Sequence, residues 1–336
     1  MTAMNYDRRI EGILDELGVS PGDTDALAGD ASARRFFRVH FSRKNGGKTV
    51  VLVVFPDEGG EEEVARYGQM AEELGGAGLP VPKVERNNPQ EGYMIIEDCG
   101  DELLQHAIRE SDPLPLYQQA IDLIVRMQER VSPETAEINP PFDEEKFTWE
   151  LDFFLTHTLE GYYGAEIGAS ARAAFQDFFR AICREVLSQP RTFCHRDYHS
   201  RNLLLEDGKL RIVDFQDGRL GPYTYDLVSL LEDPYAGLED ELREQLRAYY
   251  YVIRPRALKA IFSDDFKRDY DMMSLQRLLK AAGTFGYMFM EKGKRWYVEY
   301  LPAVFQAVNE ILSNYPELEG LEELLKKYVS VNPGQN

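Results

Sequence analysis

The sequence predicts an α+β protein of two lobes, a small β-rich one followed by a large helical one. Three observations carry that prediction. Strand-like segments crowd into the first part of the chain, helical spacing dominates the rest, and one short hairpin interrupts the helical part at 202–215. At 336 residues the chain also exceeds what one hydrophobic core usually sustains.

Each element has a local cause. Residues 6–17 form an amphipathic helix, stopped by Gly18 and the Pro21-Gly22 turn. Residues 35–41 and 49–55 are strands rich in β-branched and aromatic side chains, joined by the hairpin turn Asn45-Gly46-Gly47. Residues 61–74 place Val64, Tyr67, Ala71 and Leu74 on one helical face, with Gly75 as the expected C-cap. After Pro80 and Pro82, residues 93–96 read as a further strand. Helical spacing then recurs over 116–130, 143–163, 171–187, 238–251, 271–290 and 297–314. The exception is Leu203-Leu204-Leu205 and 210–215, flanking the turn Glu206-Asp207-Gly208-Lys209. Residues 332–336 read as a loose tail.

Composition narrows the function classes. A net charge of −20 disfavours nucleic acid, whose phosphates need clustered Lys and Arg, and otherwise serves solubility. Cys99, Cys183 and Cys194 are an odd number without a C-x-x-C pair, which fits reduced thiols rather than a disulfide framework. Charges within the first twelve residues oppose a signal peptide, and the most apolar run, 50–55, is too short to span a bilayer. The expectation is a cytoplasmic protein without nucleic-acid or membrane partners; its oligomeric state is left open.

The chemistry concentrates in Cys194-His195-Arg196-Asp197-Tyr198-His199-Ser200-Arg201-Asn202. This run matches H-R-D-x-x-x-x-N, the catalytic-loop pattern of kinases, and Asp214 follows at the end of the hairpin's second strand. Phosphoryl transfer asks mainly for positioning and charge neutralisation. Asp197 suits the role of base toward an acceptor hydroxyl. Asn202 and Asp214, at the two ends of the hairpin, supply hard oxygen donors for Mg2+ bridging the phosphates of ATP. His195 and His199 lack a third ligand or an H-E-x-x-H helix, so His195 is read as a structural histidine rather than a zinc ligand. The lobe boundary follows: residues 1–98 bind nucleotide, and residues 99–336 carry the catalytic loop and the substrate site.

The runs HRDYHSRNLL and IVDFQDGRLGPYTYDLVSLL resemble the aminoglycoside phosphotransferase and choline kinase superfamily, distant relatives of protein kinases. GDASARRFFRV, GYMIIEDCGDELL, FDEEKFTWELDFF and QRLLKAAGTFGYMFMEKGKRWYVEYLP are similar to the branch of bacterial anomeric amino-sugar kinases. That branch acts on N-acetylmuramate and N-acetylglucosamine in cell-wall recycling. The resemblance implies a bilobal protein-kinase-like fold. It implies that Gly29, Ala31 and Ser32 cover the ATP phosphates, and that Glu97 and Cys99 in the connector meet adenine. It also implies that Asp226 anchors the catalytic loop.

One departure matters. The strand 49–55 contains no lysine for the nucleotide phosphates, and Lys48 precedes it. Arginines are the expected replacement: Arg201, in the catalytic loop, for the γ-phosphate or an acidic substrate, and Arg34, beyond the phosphate-covering turn, with Arg38 on the same face. Acceptor contacts are expected from Glu150, in a helix that also carries Asp152, Phe147, Trp149, Phe153 and Phe154, and from His199, Asp217 and Arg219. Aromatic faces with carboxylates suit a sugar ring, and the same pattern also suits core packing. The leading reading is an ATP-dependent kinase of an amino-sugar hydroxyl, the anomeric one. An aminoglycoside or other small-amine kinase, and a nucleotide-binding scaffold without catalysis, are the competing readings. The absence of an A-P-E element speaks against a protein kinase.

Overall fold

The computed structural model describes residues 3–27, 34–41, 47–56 and 58–329. The chain divides into two compact units, Met1–Leu104 with Asn202–Gln216, and Gln105–Arg201 with Asp217–Asn336. Among the described residues the strands are β1 Thr24–Leu27, β2 Arg35–His40, β3 Thr49–Val54, β4 Val84–Asn88, β5 Tyr93–Glu97, β6 Arg191–Cys194, β7 Leu203–Glu206, β8 Lys209–Ile212 and β9 Arg219–Pro222.

The first unit is built on an antiparallel sheet of order β1-β2-β3-β5-β4. β3 sits at its centre, which is why its sequence is one apolar run: both faces are covered. Val50, Leu52 and Val54 pack with Ile10, Ile13 and Leu14 of helix α1 (Ala3–Glu16). Helix α2 (Gly60–Gly76) buries Val64, Tyr67, Met70, Ala71 and Leu74. Gly75 is not its cap. The helix runs on to Gly76, Ala77 closes it through Glu73 O and Gly75 O, and the left-handed residue is Gly78 (φ 77°). The edge strands β1 and β4 were not expected, because Thr-Asp-Ala-Leu and Val-Glu-Arg-Asn-Asn lack the apolar signal; polar edges are common in sheets.

The hairpin β7–β8 belongs to the first unit. Leu205 N–H donates to Glu102 O (2.7 Å), Ile212 N–H donates to Pro80 O (3.0 Å), and Arg211 pairs with Glu97. Its turn residues Asp207 (φ 50°) and Gly208 (φ 76°) are both left-handed, the geometry of the tight hairpin turn that matches strand twist.

The second unit is largely helical: α3 Leu104–Glu110, which begins at the boundary, then α4 Pro113–Arg130, α5 Pro133–Ala136, α6 Glu144–Phe154, α7 Ala169–Ser188, α8 Tyr225–Leu231, α9 Asp240–Ile253, α10 Ser263–Met290, α11 Leu301–Leu312 and α12 Glu319–Val329. The helix expected over 143–163 changes type midway, passing from α6 into a π-helix at Leu155–Tyr162. This stretch lies at a close crossing with α10. A Cβ at Gly286 would lie 2.5 Å from His157 O, and one at Gly283 would lie 2.9 Å from the backbone of Phe154. Thr158 Oγ1 donates to Ala282 O at 2.6 Å and pins the crossing. Across β6–β9 the register Cys194↔Arg219 makes His195 and Gly218 leave the ladder at the same end.

Candidate active site

Two buried aspartates hold the loop that carries the H-R-D-x-x-x-x-N pattern. Asp226, in the first turn of α8, accepts from His195 N–H (2.7 Å) and Arg196 N–H (3.1 Å). Asp233 accepts from Ser200 N–H (2.9 Å) and the Ser200 hydroxyl. Between them Arg196 adopts φ 83°, a left-handed conformation costly for a non-glycine residue and a frequent mark of a functional turn. The His195 ring is fully buried, and its Nδ1 accepts from Asp197 N–H at 3.3 Å.

Asp197 is thereby presented on the second unit with Lys280 Nζ 3.4 Å from its Oδ1. Burial opposes its charge, but Lys280, Arg196 and Arg277 outweigh that and hold the carboxyl well below the usual carboxylate range. A cavity of about 130 Å³ opens beside it, walled by His199, Asp233, Tyr235, Lys280 and Thr284. Burial keeps the His199 imidazole below its ordinary pKa despite Asp233 and Asp197. Lys280, Arg277 and Asp233 carried no role in the sequence reading. The available signal was two cations three residues apart inside α10, where the neighbouring side chains are apolar and buried.

On the first unit the hairpin aligns the other two motif residues. Val213 N–H donates to Asn202 O (3.1 Å), so the chain just before Asp214 lies against Asn202. Asp214 is left-handed (φ 61°), and its Oδ1 accepts from Arg34 Nη2 (2.9 Å) and Gln216 Nε2 (3.0 Å). Phe215 is buried with its ring 4.8 Å from that of Tyr67 on α2. Among the described residues no three His, Cys, Asp or Glu side chains gather to hold a metal ion. One carboxylate and one amide carbonyl are nevertheless the hard oxygen donors that magnesium takes, with phosphate oxygens and water completing its shell. The donor set fits.

The remaining expected residues divide. Gly29, Ala31 and Ser32 lie outside the described residues. Arg34 resumes the chain beyond them and points its guanidinium at Asp214, whereas Arg38 is gripped by Asp98 and Asp101. Lys48 is exposed and pairs with Glu85 at 2.5 Å. The Glu97 N–H is committed to Lys83 O at 2.8 Å. Cys99 is buried, and burial pushes its thiol up to about 11. All three cysteines are free and buried.

In the second unit Glu150, Asp217 and Arg219 come together with Arg196. Arg196 Nη1 lies 3.7 Å from Asp217 Oδ1, and Arg219 Nε donates to Asp217 O at 3.1 Å. Glu150 and Arg196 sense each other's charge. His199 stands at the cavity instead, edge-on to Tyr235. Arg201 donates to Gln105 Oε1 (3.0 Å) and stacks on Tyr235, 3.6 Å from the ring centroid, with Trp296 at 5.0 Å. Of the aromatic residues on α6, Phe147 and Phe154 are core, and Trp149 stays exposed beside Phe153. Asp152 meets Gln176 of α7 at 3.4 Å rather than this group.

Residues 23–261 match the model of the phosphotransferase enzyme family. The N-acetylmuramate/N-acetylglucosamine kinase of Pseudomonas aeruginosa is 29% identical over 309 residues, covering 91% of this chain and 89% of that one. The enzyme of the same name from Neisseria meningitidis is 29% identical over 313 residues, covering 91% of each. Among solved structures, a choline/ethanolamine kinase family protein from Mesorhizobium loti superposes with a TM-score of 0.63 at 15% identity, covering 96% of this chain and 99% of that one. An ADP-bound aminoglycoside phosphotransferase superposes with 0.61 at 11% identity, covering 90% and 98%. These two likenesses establish the kinase-like fold.

Proposed function

The chain belongs to the phosphotransferase enzyme family and is a small-molecule kinase, and from that premise we propose that it transfers the γ-phosphoryl group of ATP to the anomeric hydroxyl of an N-acetylated amino sugar. The observation that carries the substrate class is similarity along nearly the whole chain to enzymes named for N-acetylmuramate and N-acetylglucosamine. Such a reaction belongs to cell-wall recycling, in the cytoplasm.

In this reading Asp197 accepts the hydroxyl proton as the sugar oxygen bonds to the γ-phosphorus and the bond to the β-phosphate oxygen breaks, releasing ADP. Asp197 is a weak base, because Lys280 and the neighbouring arginines favour its charged form. An anomeric hydroxyl is more acidic than an ordinary alcohol, so a weak base in the right place suffices. Asn202 and Asp214 would hold Mg2+, which neutralises phosphate charge when bound. Arg34 takes over the role of the missing lysine: it pairs with Asp214, and its planar fork suits phosphate oxygens. Arg201, flattened on Tyr235, offers a fixed cation at the end of the catalytic loop.

Magnesium-dependent ATP consumption against N-acetylated sugars, aminoglycosides, choline and a generic protein tests this reading. Turnover confined to the N-acetylated sugars supports it. Turnover only with aminoglycosides or choline overturns it, and ATP binding without turnover on any acceptor favours a scaffold.

A further inference from the structure

In a chain with a net charge of −20, the second unit gathers five cations, Lys146, Arg196, Arg219, Arg277 and Lys280, around Glu150. Besides Glu150, the carboxylates Asp143, Asp197, Asp217 and Asp226 act on members of the same group. The cations are close enough to oppose one another. Burial lowers the pKa of Lys146, and Arg196 and Arg219 push the same way against Glu150. Burial likewise lowers that of Arg219, with Arg196 adding to it.

Two orphaned groups belong to residues of this cluster. Glu150 is 3% exposed, and its Oε2 accepts from Gln276 Nε2 at 2.8 Å, but its Oε1 is buried without a hydrogen-bond partner. Arg196 Nε is also buried without one. Buried polar atoms are rarely left unmatched, so a charged cluster with an orphaned acceptor and an orphaned donor suits a ligand carrying the complementary groups. Arg196 directly precedes Asp197, which puts the cluster beside the base. Lys146 lies over the exposed ring of Trp149, 4.4 Å from its centroid, and so stands at the rim.

We propose that Lys146, Arg196 and Arg219 form an anion subsite that receives the carboxylate of an acidic amino sugar, while Glu150 Oε1 accepts a hydroxyl or amide N–H of the same molecule. This rests on the amino-sugar kinase reading and deepens it. The subsite favours acids over neutral sugars and repels cationic acceptors.

Steady-state kinetics of the full chain with N-acetylmuramate and with the neutral N-acetylglucosamine test it, for wild type, Arg219→Gln and Lys146→Gln. Calorimetric binding of N-acetylmuramate without nucleotide accompanies them. The ratio of kcat/KM for the acid to that for the neutral sugar is expected to fall about tenfold or more in each variant, with the loss in the acid's KM and its calorimetric affinity. Equal losses on both sugars, or a change confined to the ATP KM, overturn the subsite and assign the cations to structure or to the transferred phosphoryl group. A wild type that binds N-acetylmuramate but turns over neither sugar refutes the kinase reading and leaves the subsite standing. Calorimetric affinity unchanged in both variants removes the subsite whatever the turnover.

Discussion

Replacing Arg34 with alanine removes the cation that the first unit directs at Asp214. The pair is 2.9 Å apart, with side chains 13% and 41% exposed, so the ion pair alone contributes about 1 kcal/mol or less to stability. A guanidinium that also binds nucleotide phosphates makes charge-assisted hydrogen bonds of about 1.5–3 kcal/mol. Losing them weakens ATP by roughly 10- to 150-fold, at about 1.4 kcal/mol per factor of ten. The two roles therefore separate by assay. Calorimetric titration with Mg–ADP and Mg–ATP is expected to show the affinity loss, and thermal unfolding only a small shift. An Arg34→Ala protein that binds ATP like wild type refutes the assignment of Arg34 as the lysine's replacement.

Three other perturbations have expected outcomes. Lys280→Met removes a cation that lowers the Asp197 pKa, so the carboxyl protonates at higher pH and the acid limb of kcat/KM moves upward; an unmoved limb separates Lys280 from the base. Asp226→Asn leaves one oxygen where two short bonds to His195 and Arg196 were accepted, so kcat is expected to drop roughly 10- to 100-fold, with circular dichroism and ATP affinity retained. Unchanged kcat would show that the loop keeps its conformation without that anchor. Gly286→Ala drives a Cβ to 2.5 Å from His157 O and is expected to cost about 1–3 kcal/mol, measured by denaturant unfolding; stability equal to wild type would show that the crossing yields without cost.

The H-R-D-x-x-x-x-N pattern is legible because its residue types and spacing stand in the sequence itself, and the hairpin because Asp207-Gly208 demands left-handed backbone. β3 was legible because a strand covered on both faces reads as unbroken apolar sequence. β1 and β4 were not, because edge strands keep polar side chains and their pairing is carried by backbone groups, which leave no mark in the sequence. The end of α2 is not marked by the first glycine: Gly75 lies inside the helix, which ends at Gly76, and Gly78, past the Ala77 cap, supplies the left-handed residue. The π-helix lies where α10 crosses, more than a hundred residues later in the chain, at Gly283 and Gly286, a juxtaposition that local spacing does not reveal. The cation cluster was hidden for the same reason. Lys146, Arg196, Arg219 and Lys280 come from separate elements, and only β6–β9 pairing and the α6–α10 crossing gather them.

The central claim is phosphorylation at the anomeric oxygen with Asp197 as base. Phosphorus NMR of the product formed from N-acetylglucosamine and Mg–ATP, by wild type and by Asp197→Asn, tests it most directly. The account predicts a sugar 1-phosphate from wild type, and from Asp197→Asn a rate lower by roughly a hundredfold or more with ATP still bound. A phosphate on another hydroxyl, or an Asp197→Asn enzyme as fast as wild type, would contradict it.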